Sequence, residues 1–495
     1  MFFFESLADL KQILVIFAAK FNAMLIGRDT EKAELLEAFK SEYSQFAAVY
    51  GRRRVGKTFL IRETFNYNFT FEHSGVANGN NRKQLRAFRD SLVEAGMEKM
   101  AIPANWMDAF GLLRQLIKQS QDAKKVVFID EIPWMDTPRS DFLSALEFFW
   151  NAFASARKDV LLIICGSATS WIINKVLKNH GGLHNRVTCR IPLQPFTLYE
   201  CEQYMRSRNI SLSRYDLLEL YMVFGGVPFY WSLIERGESV AQSIDRLVFS
   251  TNGKLHDEFY ELYDSLFKTP EQYISIVTAL GEAGSGLNRE ELVARCYLDG
   301  NGKTTRILND LQECGFIKKI PTFGMKNNAT YKLIDNFTLF YMKFIRENES
   351  NDERFWSHSY LSPVRTSWVG LAFERVCFQH VPQIKKALGI SGVVTNVYAW
   401  RIGPTADGEA GAQIDMLIDR ADNMVNLCEM KFSKNEYTVT SDDADSLYHK
   451  AKRFAESVGR GKSISLTMIT VKGITHTGHW SDIHNTITAE DLFER

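Results

Sequence analysis

Short runs of apolar residues, each followed by a polar loop, recur along the N-terminal part of the chain. The clearest runs are Phe46–Tyr50, Val126–Ile129 and Val160–Cys165. Uninterrupted apolar runs of this length are typical of strands that are buried on both faces of a parallel sheet. An amphipathic stretch after the polar loop Ala77–Asn81 predicts a covering helix. The pattern therefore predicts an α/β core built on a parallel sheet.

The pattern changes after Pro195-Phe196, where the sheet is expected to end. Thr197 and Glu200 have the spacing of a capping box, which predicts the start of a helix. A helical stretch then continues to about residue 265, interrupted by the tight turn Gly225–Pro228. We expect this region to form a lid on the core.

Residues 266–345 have the element order of a winged helix-turn-helix. The predicted elements are a helix that Asn288 caps with Glu291, a second helix over Lys303–Cys314, and wing strands at Ile317–Ile320 and Thr330–Ile334. The second helix would turn Lys303, Thr304 and Arg306 outward, where they could contact DNA phosphates or base edges. Lys326 on the wing adds one more cation. The alternative is that this region serves as a lid element or contacts another protein, because such a small number of cations would bind DNA only weakly.

The last quarter of the chain predicts a hairpin preceded by a helix. Residues alternate between apolar and polar over Gln413–Ile418, and a second strand follows over Met424–Phe432. The charged run Arg346–Arg354 is expected to be a solvated linker into this C-terminal domain.

Length and charge limit the possibilities further. A chain of 495 residues is too long for one core and suggests about three domains. Lys+Arg and Asp+Glu are equal at 59 each, so any contact with nucleic acid has to come from local patches. The seven cysteines include no C-x-x-C pair, which is typical of reduced cytosolic thiols.

The first residues contain two apolar runs that charged residues interrupt. They are too short and too interrupted for a membrane span, and Glu5 near the start is unlike a signal peptide. We therefore expect residues 1–23 to be an upstream extension, with no membrane association and a cytoplasmic location.

The first candidate site is the loop Gly51–Thr58, which fits G-x-x-x-x-G-K-[ST] at every position. In such a loop the backbone amides point at phosphate oxygens, the lysine reaches the β- and γ-phosphates, and the last hydroxyl binds magnesium. A predicted strand before the loop and a predicted helix after it disfavour a chance match on a glycine-rich turn. The expected ATP and Mg²⁺ site comprises Gly51, Arg52, Arg53, Arg54, Val55, Gly56, Lys57 and Thr58, with the arginine side chains beside the phosphates or on the surface.

Two acidic residues end a later apolar run, at the edge where open α/β sheets bind their ligands. Asp130 is expected to hold Mg²⁺ through water, and Glu131 to act as general base on the attacking water. Ser167 or Thr169, after the next strand, could sense the γ-phosphate; an ordinary helix N-cap is the alternative. Arg186, in a glycine-containing loop, is a candidate finger that stabilises charge in a neighbouring subunit, or else it caps a local carboxylate.

The second candidate site lies in the C-terminal domain. Glu429 and Lys431 are two positions apart on one predicted strand and therefore share a face. Together with Asp415 on the partner strand and Glu374 on the preceding helix, Glu429 is expected to bind magnesium. Lys431 would orient the water or stabilise the charge that develops on a phosphodiester. The alternative is that these residues form a solvated strand edge, where Lys431 only prevents pairing with a strand of another molecule.

These motifs also carry a family resemblance. The chain resembles the archaeal-type predicted P-loop ATPases of the AAA-like, STAND-related superfamily, whose C-terminal domain is similar to the PD-(D/E)XK nuclease fold. The matching stretches are Met24–Arg28 with Glu34, Gly51–Thr58, Phe128–Ile132, Gly166-Ser167, Gly225–Pro228 and Gly370–Glu374, with Asp415 and Glu429. The resemblance covers residues 24 to about 480. It implies ATP, magnesium and a fold, and it identifies no substrate.

The expected organisation is an N-terminal extension (1–23), a P-loop ATPase core (24–195), a helical lid (196–265), a winged helix-turn-helix (266–345), a linker (346–357) and an α/β nuclease-like domain of the restriction-endonuclease type (358–495). We expect a Mg²⁺-dependent ATPase whose hydrolysis cycle controls a C-terminal nuclease acting on DNA, with a homo-oligomer as one option. The alternative is a nucleotide-dependent regulator that binds DNA or protein without cutting, including a signalling role in defence or mobile-element biology.

Overall fold

The computed structural model describes residues 25–178, 181–183, 185–267, 269–325, 328–346, 348, 352–458 and 461–495. The expected extension at residues 1–23 and the wing residue Lys326 lie outside the described residues. In the part of the chain that is described, no helix is both long and apolar enough to cross a lipid bilayer.

The N-terminal core is a five-stranded parallel sheet with strands in the order β2-β3-β4-β1-β5. The strands are β1 (Gln45–Tyr50), β2 (Phe71–Ser74), β3 (Lys125–Asp130), β4 (Val160–Gly166) and β5 (Cys189–Pro192). The helices are α1 (Asp29–Lys40), α2 (Lys57–Thr64), α3 (Asn81–Glu94), α4 (Trp106–Gln119), α5 (Phe142–Phe149) and α6 (Thr169–Trp171), with π-helical turns at Trp150–Ala154 and Ile172–Leu177 and a 3-10 turn at Ile132–Trp134. The central strands are buried on both faces, since α1 and α2 cover one face and α3, α4 and α5 the other. The predicted α/β core with a parallel sheet is confirmed.

A helical region follows the core, and we keep the name lid for it, while its action as a lid stays a prediction. Its helices are α7 (Leu198–Ser207), α8 (Arg214–Phe224), α9 (Pro228–Ser232), α10 (Val240–Ile244, continued by a π-helical turn over Asp245–Phe249) and α11 (Glu258–Leu266). The capping box predicted at Thr197 and Glu200 is present at the start of α7. Gly225 has a φ of 59°, and a Cβ on Gly226 would lie 1.8 Å from the Phe196 carbonyl oxygen. The turn therefore needs glycines where it packs against the end of the core.

The middle region has three helices and a hairpin, followed by another helix. These elements are α12 (Pro270–Ala283), α13 (Arg289–Arg295), α14 (Gly302–Glu313), the antiparallel strands β6 (Ile317–Pro321) and β7 (Ala329–Leu333), and α15 (Asn336–Phe344). Their bounds lie close to those expected, and the winged-helix interpretation stays a prediction.

One expectation for the second helix of this region is wrong. Lys303 and Arg306 are exposed, but Thr304 is 2% exposed and donates its hydroxyl to the Asp299 carbonyl at 2.5 Å. The reason is helical geometry, because residue 304 lies one turn before the core residues Ile307 and Leu308 and shares their face. Thr304 is therefore not available to contact DNA.

The C-terminal domain is a five-stranded mixed sheet with strands in the order β12-β11-β10-β9-β8. Its elements are α16 (Phe355–His358), α17 (Pro363–Gln379), α18 (Val381–Ala387), β8 (Thr395–Ile402), β9 (Ala412–Arg420), β10 (Met424–Lys431), α19 (Ser441–Val458), β11 (Ser463–Thr470), a 3-10 turn at Trp480–Asp482, β12 (Asn485–Thr488) and α20 (Ala489–Leu492). Strands β8, β9 and β10 pair antiparallel, and β10, β11 and β12 pair parallel. The predicted hairpin is therefore β9-β10.

The C-terminal domain packs directly on the lid and the middle region. Trp356, inside the expected linker 346–357, is 1% exposed, and its backbone N–H donates to the Asp245 carboxylate at 2.8 Å. His380 at the end of α17 accepts a hydrogen bond from the Leu198 N–H at 3.0 Å. One apolar core runs through the lid, the middle region and α17. Part of the expected linker is therefore buried where the C-terminal domain contacts the lid.

Candidate nucleotide site and carboxylate site

The loop Gly51–Thr58 connects the end of β1 to α2, as the motif requires. A Cβ on Gly51 would lie 2.3 Å from the Leu193 carbonyl oxygen, so only glycine fits where the loop leaves the strand. Gly56 has a φ of 90° immediately before α2, a conformation that favours glycine. The backbone of this fold therefore favours glycine at both glycine positions of the motif.

Lys57 is buried at the first position of α2, inside the loop. Its Nζ donates to the carbonyl oxygens of Gly51 at 2.9 Å and of Arg52 at 2.8 Å. The ammonium is thus held by neutral acceptors at the N-terminus of a helix, where amide groups and the helix dipole favour an anion. A phosphate would be a stronger partner for this ammonium than either carbonyl.

The structure joins the two expected magnesium ligands. Thr58 Oγ1 donates to Asp130 Oδ2 at 2.7 Å, which links the start of α2 to the end of β3. A hydroxyl and a carboxylate oxygen are hard donors of the kind Mg²⁺ takes, usually together with water and substrate phosphates. These two residues therefore fit a magnesium ion that accompanies a nucleotide.

Glu131 is held in place by the next strand. It has a φ of 46°, and its carboxylate accepts from the Ser167 hydroxyl at 2.5 Å and from the Ser167 N–H at 3.2 Å. Thr169 is buried, and its hydroxyl is directed at the Ser167 carbonyl at 3.4 Å. Of the two expected sensor hydroxyls, Ser167 is the one that contacts the acidic pair.

The side chains of Arg52 and Arg54 form ion pairs with acidic residues of other regions. Arg52 is buried and therefore not on the surface, and a position beside the phosphates stays a prediction for these arginines. Buried Arg52 forms an ion pair with Asp335 before α15 and lies over the Phe316 ring at 5.2 Å. Arg54 forms an ion pair with Glu258 on α11 and a second one with Glu261 at 3.3 Å. The sequence motif carries no signal for these acidic partners, which are distant along the chain.

Arg186 lies in an exposed turn before β5. Its N–H donates to the Leu183 carbonyl at 3.1 Å, and its side chain faces solvent. A role as a finger toward a neighbouring subunit stays a prediction.

In the C-terminal domain a lysine bridges two of the expected metal ligands. Lys332 on β7 donates to Glu374 on α17 at 2.7 Å and to Asp415 on β9 at 2.7 Å. Gln413 adds a hydrogen bond to the same Asp415 oxygen at 3.0 Å. Burial raises the pKa of Glu374 above its ordinary value. Burial acts in the same direction on Asp415, but the charge and hydrogen bond of Lys332 outweigh it and the pKa of Asp415 is lowered.

Glu429 and Lys431 lie beside this cluster. Cys428 on β10 pairs with Met416 on β9, so Glu429 and Asp415 are the next residues along the two strands. Glu429 accepts from Lys450 at 2.8 Å and lies 3.5 Å from Lys431. The charge of Lys450 also lowers the pKa of Asp415. The structure thus brings the expected residues to one end of the paired stretch of β9 and β10.

The carboxylates are nevertheless paired with lysines. Among the described residues, no group of three or more His, Cys, Asp or Glu side chains is arranged to hold a metal ion. In this conformation Lys332 and Lys450 supply the positive charge that a cation would supply, so the site does not fit a divalent ion as it stands. Sequence reasoning missed both lysines, because each lies in an element outside the motif.

A cavity of about 260 Å³ adjoins Asp415, between the β6-β7 hairpin and the C-terminal sheet. Its polar lining includes Asn288, Thr330, Lys332, Arg401, Gln413 and Asp415. The carboxylate site is therefore reached from the boundary between the two regions.

Known proteins resemble this chain over different shares of its length. An ATPase domain found predominantly in Archaea matches residues 25–234. An uncharacterized protein of Methanocaldococcus jannaschii is 22% identical over 435 residues, which are 87% of this chain and 92% of the relative.

Solved structures with similarity include a Walker-type ATPase of Pyrococcus abyssi, at 16% identity and a TM-score of 0.49, over 65% of this chain and 96% of that one. The ORC2 protein of Aeropyrum pernix follows at 14% identity and a TM-score of 0.44, over 65% and 93% of the two chains. A STAND protein with a tetratricopeptide repeat sensor from Pyrococcus horikoshii is 18% identical, with a TM-score of 0.31, over 72% and 47%.

The family match and the geometry of the loop agree on the N-terminal part of the molecule. Lys57, Thr58, Asp130 and Glu131 meet at the carboxyl edge of a parallel sheet, where nucleotides bind in such folds. Residues 25–234 are an archaeal-type P-loop ATPase domain.

Proposed function

We propose that this protein is a magnesium-dependent ATPase whose nucleotide state controls a C-terminal nuclease-like domain that acts on DNA. The hydrogen bond between Thr58 and Asp130, beside a Glu131 that Ser167 holds, is the observation that carries the ATPase part of the proposal.

Each residue of the nucleotide site has a separate role in hydrolysis. Lys57 opposes the charge of the β- and γ-phosphates from within the loop. A magnesium ion held by Thr58 and Asp130 would neutralise further charge on the same phosphates. Glu131 takes the proton of the attacking water. Because the Ser167 hydroxyl bonds Glu131 here, we suggest that a γ-phosphate competes for that hydroxyl and leaves the carboxylate to the water.

The proposal of DNA cleavage rests on the second site. Glu374, Asp415 and Glu429 come from three elements to one end of the paired stretch of β9 and β10, with Lys431 beside Glu429. Two carboxylates and a lysine on adjacent strands are groups that phosphodiester hydrolysis uses together with a divalent ion, and such an ion would require Lys332 and Lys450 to release the carboxylates first. The neighbouring cavity would give a strand access to Asp415.

A regulator that binds without cutting is the second candidate. It is favoured by the lysines that neutralise the carboxylates, Lys332 and Lys450. A permanently paired site of this kind would leave the C-terminal domain as a binding module.

One experiment separates the two candidates. Purified full-length protein is incubated with Mg²⁺ or Mn²⁺ and with single-stranded DNA, duplex DNA or RNA, each with and without ATP. Cleavage that depends on Asp415 supports the nuclease. Retention of DNA in a gel-shift assay without cleavage under every condition supports the regulator.

A further inference from the structure

The four-residue segment Lys332–Asp335 contacts both candidate sites. At its start, Lys332 bridges Glu374 and Asp415 of the carboxylate site. At its end, Asp335 forms the ion pair with Arg52 of the nucleotide-binding loop. Side chains at both ends are almost fully buried, at 5% exposure for Lys332 and 4% each for Arg52 and Asp335. We call Lys332–Asp335 the bridging segment.

The bridging segment is held along its backbone as well. The Leu333 carbonyl accepts from Arg375 at 2.7 Å, and the Ile334 carbonyl accepts from Gln379 at 2.8 Å, both on α17. The N–H groups of Ile334 and Asp335 donate to the Phe316 carbonyl at 2.9 and 3.2 Å. A segment bonded on both sides cannot absorb a displacement locally. A shift at Asp335 is therefore passed along the backbone to Lys332.

Arg52 is the contact through which a nucleotide would act on this segment. Its Nε and Nη2 are buried without a hydrogen-bond partner among the described residues. Buried donors without partners cost free energy, so the guanidinium gains when a better acceptor arrives. Its backbone carbonyl already accepts from Lys57, which places the residue in the phosphate loop itself. Two oxygens of a phosphate can accept both parallel N–H groups of a guanidinium, as a carboxylate can, so a phosphate can compete with Asp335.

We propose that the bridging segment couples the two sites, so that the Arg52–Asp335 pair keeps Lys332 on the carboxylates and closes the C-terminal site. This rests on the proposed function for the identity of that site as a metal-dependent one. Nucleotide entering the loop competes with Asp335 for Arg52 and loosens the segment. Lys332 then leaves Glu374 and Asp415, whose freed oxygens become available to a divalent cation.

Hydrogen exchange measured by mass spectrometry on the full-length protein tests the coupling without any cleavage assay. With a non-hydrolysable ATP analogue and Mg²⁺, the amides of Ile334 and Asp335 should exchange about tenfold faster, while those of the loop Gly51–Thr58 become protected. The Lys57→Ala variant should show neither change. Asp335→Asn, which weakens the pair, should exchange fast without nucleotide. Protection of the loop with unchanged exchange at Ile334 and Asp335 would overturn the proposal.

Manganese binding tests the other end of the segment. Lys332→Met removes the ammonium and keeps an apolar stem, and Lys319→Met on the neighbouring strand is the matched control, since Lys319 is exposed. Calorimetry without nucleotide should find one more bound Mn²⁺ in Lys332→Met than in wild type or Lys319→Met. Adding Asp415→Asn to Lys332→Met should abolish that extra ion. Equal stoichiometry in all of these proteins would show that Lys332 does not occupy a cation site.

The two proposals fail in different ways. If exchange at the bridging segment responds to nucleotide but no nucleic acid is cut, the coupling stands and the nuclease is abandoned. If DNA is cut at the same rate with and without nucleotide, and exchange at the segment does not respond, the nuclease stands and the coupling is abandoned.

Discussion

At the scale of single residues, the nucleotide site depends on a few short hydrogen bonds between elements that are distant in sequence. Thr58 and Asp130 are 72 positions apart, and Glu131 and Ser167 are 36 apart. The first pair joins the start of helix α2 to the end of β3, and the second joins residues that follow the adjacent strands β3 and β4. The chemistry assigned to these residues can therefore be tested by substitutions that leave the sheet intact.

Replacing Lys57 with alanine should abolish ATP binding. The loop amides alone cannot replace a buried ammonium opposite the β- and γ-phosphates. Binding is measured with a fluorescent ATP analogue, and Lys40→Ala at the exposed end of α1 serves as control. Native affinity in Lys57→Ala would place the nucleotide somewhere other than this loop.

Replacing Glu131 with glutamine should leave ATP binding intact and slow hydrolysis at least about a hundredfold, because the amide cannot accept the proton of the attacking water. Phosphate release under saturating ATP measures the rate. Turnover at the native rate would mean that another group activates the water.

At the scale of elements, helix α14 presents its apolar face to the core and two cations to solvent. Lys303 and Arg306 are exposed one turn apart, whereas Thr304 between them is buried. The C-terminal end of the helix contacts the N-terminal core of the protein, because Glu313 lies 3.5 Å from Lys178. Lys303 and Arg306 therefore lie exposed in the N-terminal half of α14. In recognition helices the N-terminal residues contact bases in a major groove, so contact of α14 with DNA stays a prediction.

Changing Lys303 and Arg306 together to glutamate should weaken DNA binding and reduce the slope of log affinity against log salt by about two, because two phosphate contacts are lost. Lys83 and Arg86 on α3 are exposed at the same spacing, so Lys83→Glu with Arg86→Glu is the matched control. A slope that is equal in both double variants would leave α14 as a structural element of the lid.

A second test at this scale concerns the joint between α17 and α7. Burial lowers the pKa of His380 from 6.5 to about 4, so the ring stays neutral and accepts from the Leu198 N–H. The unfolded chain binds the proton more readily, so this group contributes stability above pH 6.5 that is lost as the pH falls towards 4. From His380 alone we expect a loss of up to about 3 kcal/mol in the free energy of unfolding.

The measurement is chemical denaturation at pH 7 and at pH 4.5. His380→Gln should be less stable than wild type at pH 7 and should lose less stability on acidification. His476→Gln, at an exposed histidine, should keep the wild-type dependence on pH. An equal loss in wild type and His380→Gln would show that this ring does not govern the acid response.

At the scale of the whole molecule, the carboxylate site belongs to a packed unit that the nucleotide loop contacts through the Arg52–Asp335 ion pair. The lid, the middle region and α17 share a core, and the β6-β7 hairpin contacts the C-terminal sheet through the Phe323 N–H and the Ala399 carbonyl at 3.0 Å. Movement of the middle region therefore has a direct mechanical route to the carboxylate site.

Replacing Asp415 or Glu429 with alanine should abolish DNA cleavage while ATP hydrolysis continues, because Lys57, Asp130 and Glu131 are untouched. Lys431→Ala should cut poorly, since the ammonium stabilises charge and is not a ligand. Raising the Mn²⁺ concentration should partly restore cleavage in a ligand variant and not in Lys431→Ala. Cleavage that survives in Asp415→Ala would locate the activity elsewhere or in a contaminant.

The sequence by itself determined the nucleotide site, since Gly51–Thr58 is contiguous and its backbone conformation follows from local residue types. The parallel core and the bounds of β6 and β7 were also predictable, because burial on both faces and turn residues leave a local pattern. Only the tertiary structure decided the partners of the charged side chains. Arg52 meets Asp335 283 positions away, and Lys332 meets Asp415 83 positions away. An ion pair has no periodicity or spacing along the chain, so its partner is chosen by packing alone.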